Sequence, residues 1–180
     1  MEFGEVILKR TSIRNYKPDP IPKDKLEFIL ECARQSPSWA NTQCWRFIII
    51  QDSETIKSIA KASLINRWLK NVPCIIIACA DTTSSGTKNN INYFTVDVAI
   101  ALEHLVLGAT DVGLGTCWIG GFDESKIKDL IGIPNRVKIV AMTPLGFPAE
   151  KTSSSQKIKK ALIKSSKRRS QAEIVHYEKW

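Results

Sequence analysis

Apolar residues recur along the chain with helical spacing in some stretches and in short unbroken runs in others. Phe3, Val6 and Ile7 predict a short amphipathic helix over 2–9 that delivers Arg10 at its C-terminal end. Pro18, Pro20 and Pro22 hold the next stretch extended. Pro22 suits the first turn of a helix in which Leu26, Ile29, Leu30 and Ala33 keep helical spacing to about Gln35. The segment from Ser36 through Asn41 stops it. Phe47 to Ile50 is short and β-branched and runs into Asp52-Ser53, so it predicts a buried strand that ends at the N-cap of a helix over 54–63.

Residues 72–80 are apolar without alternation, which predicts a strand covered on both faces. The polar run 84–90 predicts a flexible loop. Val98, Ala99, Leu102, Leu105, Val106 and Ala109 mark the longest and most apolar helix, over 96–112, either the centre of the domain or an interface element. Strands follow at 116–119 and 137–145, separated by a helix that Asp123 caps and that runs to Ile131 before Gly132 and Pro134. Residues 150–170 are Lys/Ser-rich and predict a loop, or a helix around 158–163. Without an internal repeat or a second core, the pattern predicts one domain over 1–180, a three-layer α/β/α sandwich.

Composition changes this picture in one place. The net charge is +8, and residues 1–150 carry 17 Lys/Arg against 16 Asp/Glu while residues 151–180 carry 9 against 2. The excess is a property of the tail, and a basic extension over 151–180 with an apolar end (Ile174, Val175, Tyr177, Trp180) is expected to dock on the domain or on a partner subunit. Five cysteines, an odd number without metal-ligand spacing, predict reduced thiols and a cytoplasmic protein. The acidic start Met1-Glu2-Phe3-Gly4-Glu5 does not resemble a signal peptide, and the apolar runs fall short of the roughly 20 residues that span a bilayer, so no membrane association is expected. His104 and His176 offer little material for a zinc site or a histidine-based triad.

The candidate chemistry lies in polar punctuation between these elements. Arg10-Thr11-Ser12-Ile13-Arg14 offers two guanidiniums and two hydroxyls within five residues, and Lys167-Arg168-Arg169 adds charge near the end; guanidinium forks match phosphate oxygens. The terminal cluster could equally be a solvated patch or a nucleic-acid arm. The chain has no P-loop, and Gly113-Leu114-Gly115 lacks the third glycine of a dinucleotide fingerprint and precedes a strand. Gly120-Gly121, at a strand end before a helix, is either a tight turn or a place where a flat ligand approaches bare backbone.

Taken together, R-T-S-I-R at 10–14, S-P-S-W-A-N-T-Q-C-W at 36–45, G-L-G-T-C-W-I-G-G-F-D at 113–123, P-L-G-F-P-A-E at 144–150 and A-E-I-V-H-Y-E-K-W at 172–180 resemble the nitroreductase family of FMN-dependent oxidoreductases across nearly the whole length. The resemblance implies an α+β fold with a mixed, mainly antiparallel central sheet. It implies FMN as cofactor, NAD(P)H as reductant, ping-pong kinetics, a nitroaromatic, quinone or similar electron-poor acceptor, and a homodimer with FMN at the subunit interface. By that resemblance Arg10, Thr11 and Ser12 bind the phosphate, Arg168 and Arg169 close it, and Arg14 reaches the ribityl chain or pyrimidine edge. Pro37 and Ser38 shape a loop from the partner subunit that carries Trp39, Asn41 and Gln43 to the flavin, and Ile119, Gly120 and Gly121 form a backbone strip near its N5. Cys44 replaces a proline common in relatives, and Trp39 is bulkier than usual, which bears on the acceptor pocket. No acid or base stands out. The alternatives are an FMN carrier without turnover, other flavin chemistry on the same fold, and, through the tail, nucleic-acid binding, which this reading does not favour.

Overall fold

The computed structural model describes residues 1–149 and 168–180, in two compact units, residues 1–149 forming the first. The first unit holds helices α1 (Phe3–Lys9), α2 (Lys23–Arg34), α3 (Ser53–Ala62), α4 (Tyr93–Asp111) and α5 (Glu124–Ile131) and strands β1 (Trp45–Ile50), β2 (Cys74–Asp81), β3 (Thr87–Lys88), β4 (Ile91–Asn92), β5 (Gly115–Thr116) and β6 (Val137–Gly146). The main sheet has the order β1-β2-β6-β5, every strand pair antiparallel, with one parallel bridge added by Ser12 to Thr116. This is the expected α+β sandwich.

The unbroken apolar run of β2 is explained by its two covered faces. Cys74, Ile76, Ala78 and Ala80 pack with Ile29, Ala33, Val98, Leu102 and Leu105 from α2 and α4, whereas Ile75, Ile77 and Cys79 pack with Ile56, Ile59 and Ile127 from α3 and α5. Side chains two apart share a face, so a strand buried on both sides cannot alternate in polarity. A bulge opposite Ala78 and Cys79 turns both Val140 and Ala141 toward the α2/α4 layer. Helix α4 has the length and composition of a membrane span, yet Val98, Ala101, Leu102, Leu105, Val106 and Ala109 are buried within the unit. It is the central core helix.

Two thiols in this core make stability pH-dependent. Burial pushes Cys74 and Cys79 from the ordinary 9.0 up to about 12, with Glu124 adding to the effect at Cys79 and Lys128 opposing it. The folded thiols hold their protons where unfolded ones lose them, so their contribution is intact below pH 9 and is lost as pH rises toward about 12. The melting temperature followed from pH 8 to 12 is expected to fall above pH 9. The fall should be shallower in Cys74→Ala/Cys79→Ala; an identical slope would contradict this.

Several expectations need correction. The run 84–90 starts at the end of a 3-10 turn, Thr82–Ser84, and leads into the β3–β4 hairpin, because Asn89 and Asn90 accept φ of 51° and 62° as a two-residue hairpin turn requires. The strand expected at 116–119 is interrupted. Ile119 and Met142 exchange both backbone hydrogen bonds at 2.9 Å, and the next such pair would be Cys117 with Pro144, which has no N–H. The Cys117 N–H donates to Thr143 Oγ1 at 3.1 Å instead. Helix α4 starts at Tyr93, β2 starts at Cys74, and the 3-10 segment Leu64–Asn71 has no counterpart in the sequence reading. Asp52 and Asp123 cap α3 and α5 as expected, accepting from Thr55 and Lys126 N–H, and Gly132 ends α5 at φ 71°.

In the second unit, Gln171–Glu173 form a 3-10 turn closed by a capping box between Ser170 and Glu173, and His176 stacks on Trp180 at 4.7 Å. Of the stretch 150–170 expected to be a loop or a helix, residues 150–167, Lys167 among them, lie outside the described residues.

Candidate functional site

The segment after α1 is pinned to the sheet edge by backbone and by one tyrosine. Arg10 N–H closes the helix on Val6 O at 2.9 Å, Ser12 bridges Thr116, and Ile13 N–H donates to Thr116 O at 2.8 Å. Ile13 can lie this close because Gly115 has no side chain: a Cβ there would stand 2.8 Å from Ile13 Cγ1. Tyr16 donates its phenol to Ile13 O at 2.7 Å, stacks on Trp68 at 6.4 Å and bridges Pro148, so the segment is anchored on both sides. Burial pushes the Tyr16 phenol well above its usual value.

This anchoring gathers Arg10, Ser12 and Arg14 about the Cys117 thiol. Burial pushes that thiol above 9.0, against the pull of Arg14, a hydrogen bond from Ser12 and the charge of Arg10. Both guanidiniums and the serine hydroxyl therefore share one neighbourhood, with Thr11 exposed beside them. The strand leads on through buried Ile119 to Gly120 and Gly121, which are exposed. Among the described residues a Cβ at Gly120 would meet nothing within 4 Å, and one at Gly121 would meet only Asn66 Nδ2 at 3.9 Å. Among the described residues neither glycine N–H donates a hydrogen bond. Asn66 donates to Gly121 O at 3.3 Å and accepts from Trp68 Nε1 at 3.3 Å. An exposed strip of unused donors with open space above it, beside a cluster of two arginines and a serine, fits a planar ligand carrying a phosphate.

The second group of predicted residues stands elsewhere. Pro37 and Ser38 lead into the 3-10 turn Trp39–Asn41, with φ of 47° at Ala40, 56° at Asn41 and 50° at Gln43. Left-handed conformations at non-glycine residues persist only where surrounding bonds fix them. Here the Gln43 N–H donates to Ser38 Oγ at 2.9 Å, Gln43 Nε2 donates to Asn41 Oδ1 at 3.1 Å, and the Trp39 N–H donates to Asp97 Oδ1 at 2.9 Å. Asp97, 2% exposed, also accepts from Cys44 Sγ at 3.6 Å and Ser85 Oγ at 3.4 Å, so one carboxylate ties this loop to α4 and to the turn before the hairpin. Cys44 is thus a donor within this tie, and desolvation, followed by Asp97, pushes its thiol up to about 11. Trp39 stacks on Tyr93 at 6.0 Å and lies over Gly86, where a Cβ would stand 2.5 Å from the indole.

The sheet register sets the two groups apart. Trp45, just after the loop, pairs with Ala80 at one end of β2, whereas Thr116 pairs with Leu145, which pairs with Cys74 at the other end. The offset is about 20 Å along the strands and about 14 Å across them, roughly 25 Å in all. Arg10–Arg14 and the glycine strip are brought together within one chain, and the Pro37–Gln43 loop stands at the opposite edge. Arg168 and Arg169 belong to the second unit. The sequence reading missed Asn66, Tyr16 and Asp97. Only Asp97 left a signal, as an acid inside the most apolar helix.

Comparison with known proteins agrees with this architecture. A family model described as the nitroreductase family matches residues 7–66 and 61–147. The crystal structure of a nitroreductase family protein from Clostridium novyi is 42% identical and superposes with a TM-score of 0.80, covering 83% of this chain and 87% of that one. An NADH dehydrogenase of Thermus thermophilus is 27% identical over 84% of this chain and 89% of its own length. An FMN reductase [NAD(P)H] of Bacillus subtilis is 26% identical over 87% and 71%. The chain belongs to the nitroreductase family.

Proposed function

We propose that this chain is an FMN-dependent oxidoreductase that takes electrons from NAD(P)H and reduces nitroaromatic, quinone or similar electron-poor acceptors in a ping-pong cycle. The observation that carries the reading is the exposed Gly120–Gly121 strip beside the Arg10, Ser12 and Arg14 cluster. The Bacillus relative's activity supports the choice of cofactor and reductant. The chemistry FMN supplies when bound is hydride transfer from reduced nicotinamide to the acceptor. Arg10 and Ser12 hold its phosphate with Thr11 beside them, and Arg14 offers positive charge toward the ring. The backbone N–H groups of Gly120 and Gly121 orient the ring edge.

Two copies of the chain assemble each site in this proposal. One chain holds the arginine cluster and the Pro37–Gln43 loop at opposite edges of its sheet, so Asn41 and Gln43 reach a flavin held by a second copy. Among the described residues, Thr42 Oγ1 in the loop and Ser36 Oγ just before it are buried hydroxyls without a partner, as expected of a segment completed by another surface. Helices α1, α2 and α4 border a groove of about 530 Å³ lined by Phe3, Phe28, Cys32 and Leu107, and Phe3 and Leu8 are 71% and 87% exposed. Apolar surface of this kind marks a protein contact.

The test is the visible spectrum of the purified protein before and after NADH or NADPH under anaerobic conditions. Flavin bands that bleach establish the reductive half-reaction. Bands that persist with both nucleotides contradict the reductase reading in favour of a carrier, and a protein that takes up no added FMN contradicts the cofactor.

A further inference from the structure

A second concave site lies beside the glycine strip. Lys57, Lys61, Arg67 and Lys70, with Glu54 and Ser58, line a pocket of about 540 Å³ between α3 and the 3-10 segment Leu64–Asn71. Glu54 is occupied with Lys57 at 2.7 Å. Among the described residues Lys61, Arg67 and Lys70 have no carboxylate within ion-pair distance, so the pocket presents three uncompensated positive charges. Like charges gathered in a concavity without counter-charges raise the local potential and favour a multiply charged anion.

Two bonds tie this pocket to the Gly120–Asp123 turn. Ala62, next to Lys61, accepts the Asp123 N–H at 2.8 Å, and Asn66, next to Arg67, donates to Gly121 O at 3.3 Å. One residue step is about 3.8 Å, so the Arg67 backbone stands on the order of 10 Å from Gly121. An extended dinucleotide with its nicotinamide above the strip has the length to lay its adenosine end over the pocket.

We propose that this pocket receives the 2′-phosphate on the adenosine of the reductant, making NADPH the preferred donor. The proposal rests on the reading of the Gly120–Gly121 strip as the flavin site. NADH differs from NADPH only in lacking this phosphate, so discrimination falls on a group that Lys61, Arg67 and Lys70 surround and that Ser58 can hydrogen-bond. Glu54, already engaged by Lys57, offers little opposition.

The test compares kcat/KM for NADPH and NADH in the holoenzyme and, separately, calorimetric binding of 2′-AMP and 5′-AMP. NADPH is expected to be favoured by about tenfold, the effect of one charge-assisted hydrogen bond to the phosphate. Lys61→Ala/Arg67→Ala, at exposed positions, should bring the ratio to near one and remove 2′-AMP binding while 5′-AMP stays weak throughout. Equal use of the two nucleotides by the unaltered enzyme, a preference that survives the double substitution, or 2′-AMP binding no tighter than 5′-AMP would overturn the proposal. Flavin that neither nucleotide reduces would sink the underlying reading instead, and the 2′-AMP titration would still decide the pocket.

Discussion

Gly120→Leu folds with an unchanged melting temperature and fails to hold FMN. The expectation combines two facts about the same position. A Cβ at Gly120 meets no atom of the described residues within 4 Å, and the residue is not among those with positive φ, so the substitution neither clashes with them nor strains the backbone. An exposed change of this kind alters stability by no more than about 0.5 kcal/mol. The same open space is where a flat ring would lie against the strip, and a leucine side chain fills it, costing at least about 100-fold in affinity if the ring is pushed off the backbone by the width of one methyl group. Gly146→Ala is the informative contrast. Its Cβ would stand 2.9 Å from both Pro73 Cγ and Tyr16 Cδ1, so it should destabilise the chain by about 1–3 kcal/mol without touching the strip. Normal flavin content in Gly120→Leu would remove the strip from the site.

Arg10→Ala has the second large effect, weakening FMN binding by about 10- to 100-fold, as removal of a charge-assisted phosphate interaction does. Arg10→Lys should recover part of the affinity, because an ammonium restores charge without the guanidinium fork. A second readout comes from within the protein. Arg10 is one of the groups that hold the Cys117 thiol down against burial, so its removal moves that thiol further above 9.0. The pH dependence of Cys117 alkylation in flavin-free protein should shift upward in Arg10→Ala and return toward the original in Arg10→Lys. Equilibrium dialysis with FMN gives the affinity.

Much of the fold was legible because its strongest features are periodic. The doubly apolar run of β2 announced a sheet covered on both sides, and Asp52, Asp123 and Gly132 marked helix ends through local chemistry that tertiary packing did not override. The interruption at Cys117 and Trp118 was not legible there, because its cause, Pro144, lies across the sheet and acts only through register. The β3–β4 hairpin was hidden by composition, since Asn89-Asn90 is ordinary loop material and also one of the few residue pairs able to make the turn. The site divides in the same way. Arg10, Ser12, Arg14, Gly120 and Gly121 carry their chemistry in their sequence. Asn66 gains its place from a single hydrogen bond to Gly121, in a 3-10 segment that no periodicity predicted. The distance between the arginine cluster and the Pro37–Gln43 loop is a property of strand order, which no local pattern contains.

That distance makes a mixed dimer the most direct measurement. Arg10→Ala damages the cluster and leaves the loop intact, whereas Asn41→Ala/Gln43→Ala damages the loop and leaves the cluster intact. If each flavin is held by the cluster of one copy and the loop of the other, a dimer of one variant with the other has one fully native site and one doubly damaged site. Each variant alone should retain little FMN, and differently tagged copies refolded together and purified through both tags should hold one FMN per dimer at native affinity. A mixed dimer that binds no better than its parents would contradict assembly of the site from two chains.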